Sequence, residues 1–459
     1  MPLVNDLHSA LNPTDVAEIV RPTSAETVSQ IIRSDDKPLC IAGGRHAMGS
    51  QQFGTGMTLL DLSAMDRVIG LDQEQGIIEV EAGIQWPALI EWLGLHGDGW
   101  GIVQKQTGAD RLSLGGALSA NIHGRGLAFR PFVQDIESFD LVDSSGSLRH
   151  CSRSENADWF RLAIGGYGLV GVITSLRLRL NRRHRLERLV EITTVDSLME
   201  DFERQMRAGC RYGDFQFMTD ETSDRFMREG VFSCYRPVEG EASASTEAGR
   251  SLGEDDWRRL YRLSHTDRGE LYRVYADFYR STHGQQYWSD THQLSVYLDG
   301  YHADLDRELG AAVPGSEMIS ELYVPRWALA DFCREAGQEL RRRQTPVIYG
   351  TIRLIEREDE TFLAWARESW ACIIVNLCVR HSPQGIQTTS EAFRALIDLA
   401  ASFGGSYYLT YHRWSQRHQV ERCHPRMRDF IDAKRALDPR ERFQSDWYRH
   451  HREMFGITA

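Results

Sequence analysis

The chain has 459 residues, 41% hydrophobic and 26% charged, enough for two or three domains around a large core. Its formal charge is −12 and it has no long basic run, which removes the electrostatic footprint of a nucleic-acid binder. No apolar run reaches the roughly 18 residues of a membrane span, and the start MPLVNDLHSALNPTD lacks the basic and apolar regions of a secretory signal, so a cytoplasmic protein is expected.

Residues 15–185 read as one α/β unit. Thr23-Ser24-Ala25-Glu26 opens a helix running to about Ile32. Strands are expected at Pro38–Ala42, Thr58–Asp61 and Gly76–Ala82, where Ile78, Val80 and Ala82 share a face. Trp86–Leu95 is a helix with Pro87 at a tolerated early position, and Glu137–Asp143 is a strand ending in the turn Ser144-Ser145-Gly146.

Three glycine clusters punctuate this unit. The first, IAGGRHAMGSQQFG at 41–54, follows a strand and lets backbone N–H groups approach an anion, as a diphosphate cradle requires. It lacks the Gly-Lys-Ser/Thr ending of a P-loop, which argues against ATP. The second is LSLGGALSANIHGRG at 112–126. The third, at 163–180, holds a literal G-x-G-x-x-G at Gly166, Gly168 and Gly171. The dinucleotide fingerprint needs strand, glycines, then helix. Here Glu155–Ile164 reads as helix, and Val172, Thr174, Leu176, Leu178 and Leu180 alternate at strand period, so the order is inverted and an NAD site is rejected.

From about 186 glycine thins and amphipathic helices appear. Residues 237–255 read as a surface loop, followed by a long charged helical region DDWRRLYRLSHTDRGELYRVYADFYR. Strands SVYLDGY and EMISELYV, helix Pro325–Arg343, strand VIYGTIRLI, a helix around Ala364–Trp370, strand CIIVNLCV and helix SEAFRALIDLAASFGG follow. This pattern implies an antiparallel sheet covered by helices. The tail adds strand SYYLTYHRW and a helix around Arg426–Leu437. The eight cysteines are scattered with no CxxC or metal spacing, so reduced thiols and no metal site are expected.

The three clusters, in this order, resemble the vanillyl-alcohol-oxidase flavoprotein superfamily with its PCMH-type FAD domain. GGRHAMGSQQF looks like the pyrophosphate loop of cytokinin dehydrogenases and alditol oxidases. DRLSLGGALSANIHGRG, GGYGLVGVI and the tail YLTYHRW to FQSD are similar to decaprenylphosphoryl-ribose oxidases, while SELYVPR and YGTIRLI resemble cap strands of alditol and sugar-lactone oxidases. The resemblance implies an α+β fold: a two-lobed PCMH-type FAD-binding domain at 1–185, a substrate-binding α+β cap at 186–405, and a C-terminal segment, 406–459, returning to the FAD domain.

It also implies an FAD-dependent oxidase or dehydrogenase taking hydride from a CH–OH group of a polyol, sugar or related small molecule, with O2 or another acceptor reoxidising the flavin. A CH–NH or C–C substrate and a non-catalytic flavin-binding protein are the alternatives. The resemblance assigns FAD contacts to Ala42, Gly43, Gly44, Arg45, His46, Ala47, Met48, Gly49 and Gln51 in the first loop, and to Gly108, Ser113, Gly115, Gly116, Ala120, Asn121, Ile122 and His123 around the second. Ile173 and Tyr408 complete the set. His46 stands where some relatives link the flavin covalently, but Arg45 replaces their usual glycine, so a covalent bond and a hydrogen bond both remain open.

The catalytic candidates are Glu321, contacting a substrate hydroxyl or acting as base, Arg353, orienting a substrate oxygen, and Tyr411 or His412, assisting deprotonation. Asp110 is a further base candidate. A structural Glu321–Arg353 bridge is the alternative for that pair, because an unpaired buried charge is costly. His123 reads first as a structural donor. Phe215, Phe217, Tyr275, Tyr279, Tyr287 and Trp288 read first as core, with a pocket lining as the other use.

Overall fold

The computed structural model describes residues 1–238, 249–298 and 300–457. The first helix, Ala25–Ser34, is started by Ser24, whose side chain accepts from the Thr27 N–H, and it buries Val28 and Ile32. These pack on a small parallel sheet ordered Glu18–Val20, Thr58–Asp61, Leu39–Ala42.

The second sheet runs Leu148–Ser152, Ile136–Val142, Val172–Arg182, Ile77–Glu81, Val68–Asp72, with Trp100–Ile102 paired to the far end of Val172–Arg182. Its long central strand follows the helix Ala157–Ala163 through the Gly166–Gly171 turn, which is helix-to-strand order. Gly168 has φ +74°, and a Cβ on Gly171 would lie 2.4 Å from Leu141, so these glycines serve a turn and a close approach.

The third sheet has eight antiparallel strands: Gln286–Trp288, Arg185–Thr194, Glu229–Pro237, Tyr212–Phe217, Val347–Ile355, Trp370–Arg380, Gly315–Pro325 and Ser406–Tyr407. The helices Leu329–Arg343 and Pro383–Ser402 cover one face with Phe332, Ala336, Phe393, Leu396 and Ile397. The architecture is α+β.

The tail closes the chain on itself. Leu39 and Phe443 form a parallel bridge, Leu39 N–H donates to the Arg442 carbonyl, and Met48 N–H donates to the Thr410 carbonyl.

Four local expectations change. SVYLDGY is not a strand: Ser295 is drawn to Asp110, Gly300 takes φ +72°, and Tyr301 begins a helix; Asp299 lies outside the described residues. Ala364–Trp370 is not helical. The Glu358 carboxylate accepts from the Glu360 and Thr361 N–H groups, Trp365 donates to the Asn121 carbonyl, and Trp370 already starts a strand. The long charged helix is two, Glu254–Thr266 and Arg268–Ser281, because Asp267 caps the second. Of the expected 237–255 loop, residues 239–248 lie outside the described residues, and Glu254 already belongs to a helix.

Candidate active site

The strand Leu39–Ala42 releases the first loop toward the second, and glycine lets them touch. A Cβ on Gly43 would lie 2.0 Å from Ser113 Oγ, and one on Gly44 2.4 Å from the Arg111 carbonyl. Ser113 Oγ accepts from the N–H groups of Gly44 and Gly116, tying the first loop to the start of the helix Leu114–Ala120. Gln51 does the same for the tail: its amide nitrogen donates to the carbonyls of Leu409 and Tyr411, and its oxygen accepts from Gly49 N–H. Tyr408 Oη donates to the Ala120 carbonyl at 2.6 Å.

These loops open on a cavity of about 560 Å³. Of the sequence-derived FAD contacts, Gly43, Gly44, Arg45, His46, Ala47, Met48, Gln51, Gly108, Ser113, Gly115, Gly116, Ala120, Ile122, His123, Ile173 and Tyr408 line it. Ala42, Gly49 and Asn121 do not. Asn121 instead has φ +48°, ends its helix, and bonds Glu358 and Val133 N–H. Gly43, Gly44 and Ala47 of the first loop line the cavity with little or no side chain to keep a diphosphate from the main-chain N–H groups, so the residues present fit FAD. Arg45 turns to Asp61 at 3.1 Å, and His46 Nδ1 lies 2.8 Å from His8 Nε2. Burial lowers the His8 pKa to about 4, so that ring is neutral.

Glu321 lines the cavity and is buried. Oε1 accepts from Tyr323 Oη at 2.5 Å and Cys372 Sγ at 3.5 Å, and lies 2.7 Å from His123 Nε2; Oε2 accepts from Tyr411 Oη at 2.9 Å. Burial pushes its pKa up, but the charge and hydrogen bond of His123 and the bonds from Tyr323 and Tyr411 outweigh it and hold the carboxyl below its ordinary value. Nδ1 of His123 faces the Gly124 carbonyl at 3.1 Å, so both ring nitrogens lie at oxygen atoms. Tyr411 is driven the other way, well above 10, by burial and by the Glu321 charge.

Arg353 does not bridge to Glu321. Its guanidinium donates to Thr107 Oγ1, and its buried Nε has no hydrogen-bond partner among the described residues. Thr351, Gln216 and Asp214 line the same cavity, and their Oγ1, Oε1 and Oδ1 are likewise buried without hydrogen-bond partners among the described residues. Bare buried polar atoms cost about 1–3 kcal/mol each, which points to a polar ligand.

His412 stands apart. Its ring lies 4.1 Å from that of Trp414 at a tilt of 35°, it is not among the lining residues, and burial lowers its pKa to about 3. Tyr411, its neighbour, takes the cavity side. Asp110 is spent on Lys105 Nζ at 2.6 Å and on Ser295, which ties the loop before the second cluster to residue 295.

His123 Nε2, Glu321 and Cys372 lie within 4.8 Å of one another, the spacing of a metal site. Burial keeps the Cys372 thiol protonated, and an S–H donating to Glu321 is not a metal ligand.

Sequence reasoning missed His8 and Cys372, since only the fold brings residue 8 to residue 46 and only strand register sets Cys372 opposite Tyr323. It also put the aromatic residues in the core first, whereas Phe217, Tyr275, Tyr279 and Tyr287 line the cavity. Phe215 and Trp288 do not.

Residues 16–152 match a protein-family model described as an FAD binding domain. The L-gulonolactone oxidase of Bos taurus is 25% identical over 191 residues, covering 41% of this chain and 42% of that protein. The L-gulono-1,4-lactone dehydrogenase of Mycobacterium tuberculosis is 23% identical over 465 residues, 94% of this chain and 95% of that protein. Decaprenylphosphoryl-beta-D-ribose oxidase of Mycolicibacterium smegmatis is 26% identical over 167 residues, 36% of this chain and 35% of that protein. The chain spans about two fifths of the length of the first relatives it matches, 42% in cattle and 36% for a rice L-galactono-1,4-lactone dehydrogenase. Over residues 16–152 the chain is similar to PCMH-type FAD-binding domains. FAD is its cofactor. No helix among the described residues is long and apolar enough to cross a membrane.

Proposed function

We propose that the protein is an FAD-dependent oxidoreductase that removes hydride from a CH–OH carbon of a polyol, sugar or sugar-derived small molecule and passes the electrons to O2 or another acceptor. The observation that carries this reading is the placement of Glu321. An ionised, fully buried carboxylate stands in the same cavity as the FAD loops, surrounded by donors. The names of the lactone oxidases and dehydrogenases among its relatives support the same substrate class. The eight cysteines, all free thiols, suit a reducing cytoplasm.

Bound FAD supplies the hydride acceptor, flavin N5. Glu321 Oε1 is crowded, while among the described residues Oε2 has the single donor Tyr411 and retains acceptor capacity for a substrate hydroxyl. That oxygen takes the hydroxyl proton as the hydride leaves the same carbon. His123, Tyr323 and Tyr411 fix the carboxylate so that it does not rotate away. Arg353, through its unbonded Nε, holds a substrate oxygen in position.

The test is Glu321→Gln, followed by rapid-mixing measurement of flavin reduction with a panel of sugars, alditols and aldonolactones. The expected result is a fall in the reduction rate of at least about a hundredfold with FAD content unchanged. Flavin reduced equally fast in the variant refutes the role of Glu321, and flavin that no donor reduces in the unaltered protein refutes the oxidoreductase reading.

A further inference from the structure

The strand Gly315–Pro325 carries a second carboxylate into the cavity. Glu317 lies four residues before Glu321 on the same face, so the two are about 13 Å apart along the strand. The reaction outlined above leaves Glu317 unused.

Its surroundings are unusual for a buried acid. Asn376 Nδ2 donates to Glu317 Oε2 at 2.6 Å, which turns Asn376 Oδ1 away, and that buried oxygen has no hydrogen-bond partner among the described residues. The nearest basic group is His302, whose Nε2 is 3.9 Å from Oε1. Burial and the neighbouring His265, His8, His381 and Arg380 hold that ring neutral, with a pKa of about 3. Arg380 itself pairs with Asp306 at 2.8 Å. Among the described residues no lysine or arginine pairs with Glu317, and an uncompensated buried carboxylate is costly.

We infer that Glu317 and Asn376 bind a primary ammonium group of the substrate, at the end of the cavity opposite the oxidised carbon. The inference rests on the proposed oxidoreductase reading and extends it to a substrate bearing a CH–OH group at one end and an amino group at the other. An ammonium is all donor, with three N–H groups and no acceptor, so it satisfies Glu317 Oε1 and Asn376 Oδ1 together and supplies the missing charge. A hydroxyl brings one donor and leaves one of these acceptors bare. Tyr261 and Tyr349 also line the cavity, and aromatic side chains of this kind favour an organic cation.

The charge on Glu317 is itself titratable near neutrality, because burial raises its pKa to about 7. The other titratable groups facing it are Tyr261 and Tyr301 from the helices, Cys378 from the neighbouring strand, and His302. The first three are raised and His302 is lowered, so all stay neutral between about pH 5.5 and 8.

The experiment is calorimetric titration of the FAD-loaded protein with n-octylammonium and, separately, n-octanol. At about pH 8 the ammonium is expected to bind at least tenfold tighter than the alcohol. Lowering the pH to about 5.5 is expected to weaken the ammonium roughly thirtyfold, as the ionised fraction of Glu317 falls, and to leave the alcohol unchanged. Glu317→Gln is expected to erase the preference at every pH. Equal binding of the two probes, or a preference that survives both acidification and the substitution, overturns the inference. Should the variant fail to fold, acidification of the unaltered protein decides the matter. Because the readout is equilibrium binding, a protein that discriminates the probes but never reduces its flavin refutes the oxidoreductase reading and leaves the ammonium site intact.

Discussion

Replacing Tyr411 with phenylalanine removes one hydroxyl from the Glu321 cluster and leaves the ring volume in place. The lost bond is 2.9 Å long and is made to a buried, charged acceptor. Such bonds are worth about 1.5–3 kcal/mol, and one pKa unit corresponds to about 1.36 kcal/mol, so the Glu321 pKa should rise by about 1–2 units. The sign follows from linkage. A carboxyl whose folded pKa is depressed contributes stability above its unfolded pKa and loses it as the pH falls through the folded pKa. Tyr411→Phe moves that loss to higher pH. In rapid-mixing experiments across about pH 3.5–8, the acid limb of the flavin-reduction rate should shift upward by the same 1–2 units, with the plateau reached near neutrality. Thermal melts should show the variant losing stability on acidification earlier than the parent. An acid limb that does not move refutes the assignment of Glu321 as the titrating base held down by Tyr411.

His412→Phe, one residue on, should leave flavin reduction within about twofold of the parent, because that ring packs on Trp414 outside the cavity; a loss as large as that of Glu321→Gln, measured in the same assay, reinstates His412 in the chemistry. Gly44→Ala puts a methyl 2.4 Å from the Arg111 carbonyl, a backbone atom, and should push the first two loops apart. The purified variant is expected to carry little FAD by its visible spectrum while keeping its far-ultraviolet dichroism, and full FAD content contradicts the loop contact. Ile122→Gly opens the cavity wall beside His123, and the reduced flavin is expected to react faster with O2 in stopped flow. An unchanged reoxidation rate contradicts control of oxygen access by the Ile122 side chain.

Local sequence grammar announced the first half of the fold well. The helix after Ser24, the strand Thr58–Asp61 and the helix at Trp86 depend on caps, proline position and periodicity, all of which act over a few residues. The third glycine cluster was legible for the same reason, since order along the chain separates a helix-to-strand turn from a nucleotide fingerprint. Side-chain capture defeated the same grammar elsewhere. Asn121, whose carbonyl takes the Trp365 N–H, and Asp110 pull residues 365 and 295 out of the regular elements their patterns suggest. At the site, Glu321 and Arg353 were visible as charges in apolar strands, but whether they meet each other depends on register across Trp370–Arg380, which no single strand encodes. The aromatic residues of Arg268–Ser281 read as core because a residue facing a lined cavity and one facing packed neighbours have the same helical spacing.

The bonds that tie the tail to the first strand have a consequence for how the protein is made. Arg442 Nε donates to the Lys37 carbonyl, 405 residues earlier, and the Thr410 carbonyl receives Met48 N–H from the first glycine loop. Contacts so distant in sequence form late, since the loop-closure entropy must be met before they return any stabilisation. During synthesis the glycine loop therefore emerges hundreds of residues before its partners do. The last tenth of the chain sets the moment at which the cavity is complete.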